Sequence, residues 1–264
     1  MKYLISGFLL FNLFFVYAQE IEIKFMNQFE LTADEFIGVD EFDNIYYIKN
    51  NTFYKKDDKK TLSYSNTQLG KITSIDIKNP LKIILFYNDF NTVILLDNKL
   101  NELSNRIDFN EALLSKNISL VAGSSNNNLW IYSLDDNTLQ TYNYNTKKVT
   151  FTSQSLSFST ADFKAKKLVS SYKNCWLIGK NSILQFNEYG TSLNEIEVSD
   201  VIDVKLFKEN LIYLKDNNLH RLNNDKVTSI ALEKEISIES FYINKNEIYI
   251  FDGTTIFVFS FLKI

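Results

Sequence analysis

The sequence predicts an all-β protein: a six-bladed β-propeller with four-stranded blades. Three observations predict it. Short apolar segments, separated by turns rich in Asn, Asp and Gly, follow one another through almost the whole chain. They come in groups of four. The second segments align near Ile45, Ile83, Leu129, Cys175, Leu211 and Ile248, at intervals of 36 to 46 residues, the range of propeller blades. Finally, one surplus strand at the front, Ile21 to Phe25, answers one missing strand at the end. Pairing it with Ile256 to Phe261 completes the last blade and closes the circle, which removes two open sheet edges.

Before that strand, Met1 to Ala18 reads MKYLISGFLLFNLFFVYA, one Lys followed by a short apolar run ending in V-Y-A. This predicts a secretory signal peptide over 1–18. The run is too short, and interrupted by Asn12, for a membrane anchor. The remainder, 19–264, reads as one propeller domain that does not span a membrane. Its blades are predicted at 36–66, 71–107, 118–154, 166–199, 200–232 and 236–264, the last completed by 21–25.

Within each group the strands differ as their positions demand. Inner and middle strands are covered on both faces and can be apolar nearly throughout, as in KIILFY and LWIYSL. Outer strands face water and alternate, as in NELSNRI and LNEIEVS. Tyr46, Tyr47, Phe86, Tyr87, Trp130, Tyr132, Trp176, Tyr213 and Tyr249 therefore read as packing between blades. Two longer connections interrupt the rhythm, DFNEALLSKN and SFSTADFKAK. The first has room for one helical turn, and strands hidden in the two connections would make a seventh blade. Pro80 falls between a first and a second strand, where a missing N–H does no harm.

Composition excludes several chemistries. The chain carries 28 basic and 32 acidic residues without a basic stripe, so nucleic acid is not an expected partner. None of the 7 glycines forms a phosphate-binding loop. The one histidine, His220, and the one cysteine, Cys175, sit in strands. They are expected to be structural, Cys175 as an inert core thiol. Asp135, Asp136 and Asn137, like Asp216, Asn217 and Asn218, lack the spacing of a calcium loop and read as hairpin turns. No metal and no cofactor are expected.

Two candidate sites remain. Second-to-third-strand turns and blade connections share one rim of a propeller. There the turn Tyr87–Asn88–Asp89–Phe90–Asn91 places an aromatic where Asn or Gly would suffice. Phe90 either folds back over the blade edge or anchors a protein partner. Arg106 and Phe109 flank the next connection, and a contact site favours such aromatic and arginine groupings. Tyr87, Asp89, Phe90, Arg106 and Phe109 are thus the expected protein-binding rim. The alternative uses Asp40, Asp76 and Asp203, at or near first strands, as axial carboxylates for a carbohydrate or small ligand, with hydrolysis as its extreme form.

The phrase IGVDEFDNIYYIKN is similar to the V-D-x-x-G-N-I-Y-V phrase of NHL-like six-bladed propellers, with Asp43 in place of the usual Gly. The repeats resemble propellers of the bacterial cell envelope, and the Asn-, Lys-, Ile- and Phe-rich composition resembles Bacteroidota proteins. Such propellers include scaffolds, ligand sensors, hydrolases and lyases. The resemblance implies an exported protein of the periplasm, outer membrane or exterior. Together with the poverty in His and Cys, it leads to the expectation of a non-enzymatic module holding an envelope or outer-membrane protein.

Overall fold

The chain is described by a computed structural model over residues 21–103, 106–114, 116–158, 160, 162–223 and 226–262. The predicted signal peptide, 1–18, lies outside the described residues. The architecture is all-β. A long strand, β1 (Ile21–Glu30), precedes a first antiparallel meander of β2 (Glu35–Val39), β3 (Ile45–Lys49), β4 (Thr52–Lys56) and β5 (Thr61–Tyr64). The second meander is β6 (Ser74–Asp76), β7 (Ile83–Tyr87), β8 (Thr92–Leu96) and β9 (Ile107–Asp108), followed by a single-turn helix α1 (Phe109–Ala112). The third comprises β10 (Ile118–Gly123), β11 (Asn128–Ser133), β12 (Thr138–Asn143) and β13 (Lys148–Thr152). The fourth comprises β14 (Lys167–Ser170), β15 (Asn174–Ile178), β16 (Ser182–Asn187) and β17 (Ser192–Glu197). β18 (Asp203–Phe207), β19 (Asn210–Lys215), β20 (Asn218–Asn223) and β21 (Lys226–Ala231) form the fifth. β22 (Ser240–Asn244), β23 (Glu247–Phe251) and β24 (Thr255–Phe261) end the chain, and β1 lies beside β24 as their fourth strand.

β1 differs from expectation in length and in its partners. It continues to Glu30, antiparallel to β24 from Ile23 opposite Phe261 to Glu30 opposite Thr255. A register shift between Phe25 and Asn27 breaks the alternation there, which is why the polar segment MNQFE does not read as strand. Ile21 and Glu22 instead pair in parallel with Ile230 and Ala231 of β21. β1 therefore joins the fifth and last meanders into one eight-stranded sheet. The outer strand of the second meander also departs from expectation. Of NELSNRI, only Ile107 joins a strand, β9, and Glu102 makes a lone bridge to Leu96, among the described residues.

Burial explains why these strands hold. Among the described residues six apolar clusters form, each drawing on two successive meanders. One of them packs Phe36 and Val39 of the first meander against Tyr249, Phe251 and Val258 of the last. Tyr46, Phe86, Tyr87, Trp130, Tyr132, Trp176, Tyr213 and Tyr249 are buried in or beside these clusters, as the sequence predicts, and Tyr47 stacks on Tyr54 at 5.0 Å. At about 25 cal/mol per Å² of apolar area withdrawn from water, such side chains contribute about 1.5–3 kcal/mol each. Close approach of first strands needs Gly38 in β2, because a Cβ there would sit 2.5 Å from the Tyr242 ring on β22.

The turns follow two recipes. In third-to-fourth-strand turns an Asp or Asn side chain accepts the amides that follow it: Asp57 from Lys59 and Lys60, Asp97 from Lys99 and Asn101, Asn143 from Asn145 and Thr146. In second-to-third-strand turns an Asn takes positive φ, at Asn51, Asn91, Asn137 and Asn217. Its side chain then grips the connection that follows the meander. Asn91 Nδ2 donates to the Lys116 carbonyl at 2.6 Å, and Asn217 Nδ2 to the Ile236 carbonyl at 2.9 Å. The turn asparagines thus do more than tolerate a backbone angle; they hold one meander to the next.

Candidate functional site

The first strands of all six meanders line a central cavity. It consists of two contiguous volumes that share lining residues, about 500 Å³ toward the strand starts and about 350 Å³ toward their ends. The connections between meanders and the second-to-third turns lie at the strand-start end, which we call the upper face.

The lower end is spanned by one lysine. Lys78, just beyond β6, pairs with Asp76 at 3.0 Å and donates to the Gly123 carbonyl, the Ser170 carbonyl and Ser170 Oγ. The second, third and fourth meanders therefore meet at one ammonium group. Burial alone would raise the Asp76 carboxyl, but Lys78 and the Lys78 and Gly123 amides outweigh it and hold the group below the usual carboxylate range.

At the upper end, Asp203 pairs with Lys167 at 2.8 Å and with Lys205 at 3.1 Å. Here too burial opposes the charge, and the two lysines overcome it to keep the carboxyl low. Glu35, at the same mouth, shows the reverse balance. Loss of water raises its carboxyl more than Lys205 and Lys71 lower it.

The three predicted axial carboxylates are thus not one site. Asp76 and Asp203 line the cavity toward opposite ends. Asp40 does not line it. It sits in the turn after β2 and accepts from the Phe42 and Asn44 amides, Asn44 Nδ2 and the Tyr46 hydroxyl. It is the turn-forming Asp of the V-D-x-x-G-N phrase, and Asp43 takes the left-handed conformation (φ 62°) that the usual Gly would supply. The usual glycoside hydrolysis requires two carboxylates flanking one bond, and these three do not provide that pair.

The predicted rim residues also separate. Tyr87 and Phe109 are wholly buried, at 0% exposure. Phe109 packs edge-on to Phe86 and Tyr142, so both belong to the core beneath the rim and neither can touch a partner. Phe90 is 48% exposed, and its ring lies over the position where a Cβ on Gly70 would project, 3.6 Å away. It folds toward the first meander while keeping half its surface open. Asp89 is exposed beside it. Arg106 points the other way, into a lateral groove of about 680 Å³ between the second and third meanders, lined also by Lys82, Glu111, Tyr144 and Lys147.

Two residues of the same upper face escape notice in the sequence. Leu114, in the connection after α1, is 92% exposed, and Phe158, in a 3₁₀ turn after β13, is 84% exposed. Leu134 and Ile202 are exposed on the same face. With Phe90 they form an arc that follows the chain from the second meander to the fifth. The connections are legible in the sequence as long features. Which of their apolar residues face out is not, because an apolar residue in a loop is as consistent with core as with surface.

His220 stacks on Tyr213 with ring centroids 5.1 Å apart, and burial holds its imidazole below its ordinary value. Cys175 is buried, which pushes its thiol well up. The Asp135–Asn137 turn is occupied internally: Asp135 accepts the Asn117 amide, Asp136 pairs with Lys116, and Asn137 holds Phe163 and Ser157. Among the described residues, no three potential ligands converge as a metal site would require, and no helix is long and apolar enough to cross a membrane.

No family model matches the sequence, and no curated protein matches it. Solved structures do. The chain is similar to virginiamycin B lyase from Staphylococcus aureus, with a TM-score of 0.59 at 10% identity, over 89% of this chain and 99% of that one. It is similar to the Pan2 WD40 domain of Neurospora crassa, with a TM-score of 0.57 at 10% identity, over 88% of this chain and 76% of that one. It is also similar to the extracellular domain of a protein from B. thetaiotaomicron described as a one-component system. There the TM-score is 0.60 at 11% identity, over 88% of this chain but 33% of that one. At such identities the likeness shows the fold, a β-propeller.

Proposed function

We propose that the chain is a non-enzymatic propeller module of the bacterial cell envelope, exported by residues 1–18 and folded as one domain over 19–264. In this reading the six meanders are the blades of one closed ring. The support is that each apolar cluster bridges two successive meanders and one bridges the last to the first, while β1 supplies the last fourth strand. The upper face then holds a protein partner. The observation that carries this is the arc of exposed apolar side chains, Phe90, Leu114, Leu134, Phe158 and Ile202, with Asp89 at its start. Water-exposed apolar side chains gathered on one face mark interaction surfaces. The other face carries exposed apolar side chains spread over several meanders, Phe42, Leu81, Leu103, Tyr172, Tyr189 and Leu262 among them.

The likeness to a lyase does not carry lyase chemistry here. A histidine-to-alanine variant of virginiamycin B lyase is catalytically inactive. The one histidine of this chain lies on β20, a third strand, stacked on Tyr213 and away from both ends of the cavity.

The proposal is tested with a photo-crosslinking residue at Leu114, at Phe158 and, as control on the other face, at Tyr189, in cells of the native type. A single protein partner crosslinked from 114 and 158, and absent from 189, is expected. Crosslinking from 189 alone, or no protein crosslink from 114 and 158, overturns the upper face as the docking surface.

A further inference from the structure

The upper mouth of the cavity has a charge pattern that the protein-docking reading leaves unused. Its rim is divided. Glu35 at the start of β2 and Glu239 just before β22 lie on neighbouring first strands and line the mouth. Neither carboxylate makes a hydrogen bond or ion pair among the described residues, and Glu239 Oε2 lies over the turn at Gly253, 2.8 Å from where a Cβ there would project. Lys166 just before β14, Lys167 on β14 and Lys205 on β18 line the other arc. Around the cavity β14 stands opposite β2, so the Lys166–Lys167 pair faces Glu35 across the opening.

The balance within each arc matters more than the count. Asp203 is consumed by Lys167 and Lys205, which share it, and that triad keeps one positive charge in surplus. Lys166 adds a second, because its side chain has no partner among the described residues. The acidic arc offers two carboxylates outside any ion pair among the described residues, Glu35 within the field of Lys205 and Lys71. Between the arcs the walls are apolar, with Ile37, Ile75, Val121 and Leu168 facing the cavity, and Ser240 Oγ is buried at the rim with no hydrogen-bond partner. Lys78, bonded to Ser170, spans the far end. The result is a pit of about 500 Å³ with an acidic side, a basic side and an aliphatic middle, a size that fits small organic ligands.

Unpaired charges of opposite sign on opposite walls select a ligand that carries both. We propose that this mouth binds a small zwitterion with an aliphatic body, an amino acid or short peptide. Its ammonium lies at Glu35 and Glu239 and its carboxylate at Lys166, Lys167 and Lys205. A neutral sugar would leave both arcs unsatisfied. A simple anion would use one arc and meet repulsion from the other. The pit is separate from the exposed arc of Phe90 and Leu114, so either proposal stands if the other fails.

The test is calorimetric titration of the protein, without residues 1–18, with L-alanyl-L-leucine, its N-acetyl derivative and its C-terminal amide. The free dipeptide is expected to bind, and each blocked form about tenfold or more weaker, the loss of one charged contact of about 1.4 kcal/mol. Lys166→Gln alters an unpaired exposed side chain and leaves the fold intact. It should weaken the dipeptide and the N-acetyl form while leaving the amide unchanged. Glu35→Gln should weaken the dipeptide and the amide while leaving the N-acetyl form unchanged. No binding at millimolar dipeptide overturns the proposal. So does binding that both blocked forms match, which would point to the aliphatic middle alone.

Discussion

Lys78 reaches across the lower end of the cavity to Ser170, its Nζ 2.5 Å from the Ser170 hydroxyl oxygen and 2.8 Å from the Ser170 carbonyl. The two residues are 92 positions apart in sequence. Their bond ties the second meander to the fourth past the third, and the same ammonium neutralises Asp76. Lys78→Met should therefore cost more than a surface ion pair, because Asp76 would keep a buried charge without its cation. About 2 kcal/mol is expected, less than the about 3–5 kcal/mol of a fully buried pair because Lys78 stays partly in water. Urea unfolding of Lys78→Met against the double variant with Asp76→Asn measures it. The double variant should recover part of the loss. A single variant as stable as wild type would show that the strap contributes nothing.

Acid should weaken the fold through the same carboxylates. Asp76 and Asp203 are held below the usual carboxylate range in the folded protein. In the unfolded chain they titrate near 3.9. A depressed carboxyl supplies stability that is fully present above the unfolded value and is lost as pH falls through the folded one. Stability should thus fall as pH drops below about 4. Asp203→Asn should flatten that fall, as read by denaturation midpoints across pH.

Asn91 has two duties that substitutions can separate. Its backbone is left-handed, with φ 52°, and its side chain binds the Lys116 carbonyl and the Ile118 amide. Asn91→Gly keeps the backbone and loses the grip, whereas Asn91→Ala loses both. The alanine variant should be less stable than the glycine variant by about 1 kcal/mol, and both less stable than wild type by calorimetric Tm. Equal stabilities of the two variants would remove the backbone argument.

Ile23 lies on β1, buried at 2% exposure opposite Phe261. Ile23→Ala should cost about 2–4 kcal/mol as a large-to-small core change. Because β1 also pairs with β21, removing 21–30 should loosen the fifth meander as well as the last. Hydrogen exchange at Leu219 and Ile230 reads this directly. Unchanged protection there would mean that the parallel pairing adds no stability.

Cys175 should be unreactive toward a thiol reagent in the native state and react fully on denaturation. Its thiol is buried and its ionisation is disfavoured chiefly by that burial. Rapid native labelling would contradict the packing of β15.

Much of the fold is legible in the residues themselves. Alternation and turn chemistry act over a few positions, so the strands KIILFY and TVILL and the turns around Asn91 and Asn217 can be read locally. The pairing of β1 with β24 is legible as well, by counting strands. Its continuation to Glu30 is not, because the bulge after Phe25 removes the period-two signal that marks a strand. The site was less legible for a related reason. Asp40, Asp76 and Asp203 look alike as acids near first strands, yet one holds a turn, one is bound by a lysine from its own meander and one is shared by lysines from two meanders.

The sequence by itself determined the β-propeller, the turn asparagines and the apolar middle strands, because periodicity, propensity and local hydrogen bonding are short-range properties. The tertiary structure decided which loop residues face water, as with Leu114 and Phe158 against Phe109, and which charges meet, as with Lys78 at Ser170. Those depend on partners dozens of residues apart, brought together only when the first strands surround a common cavity.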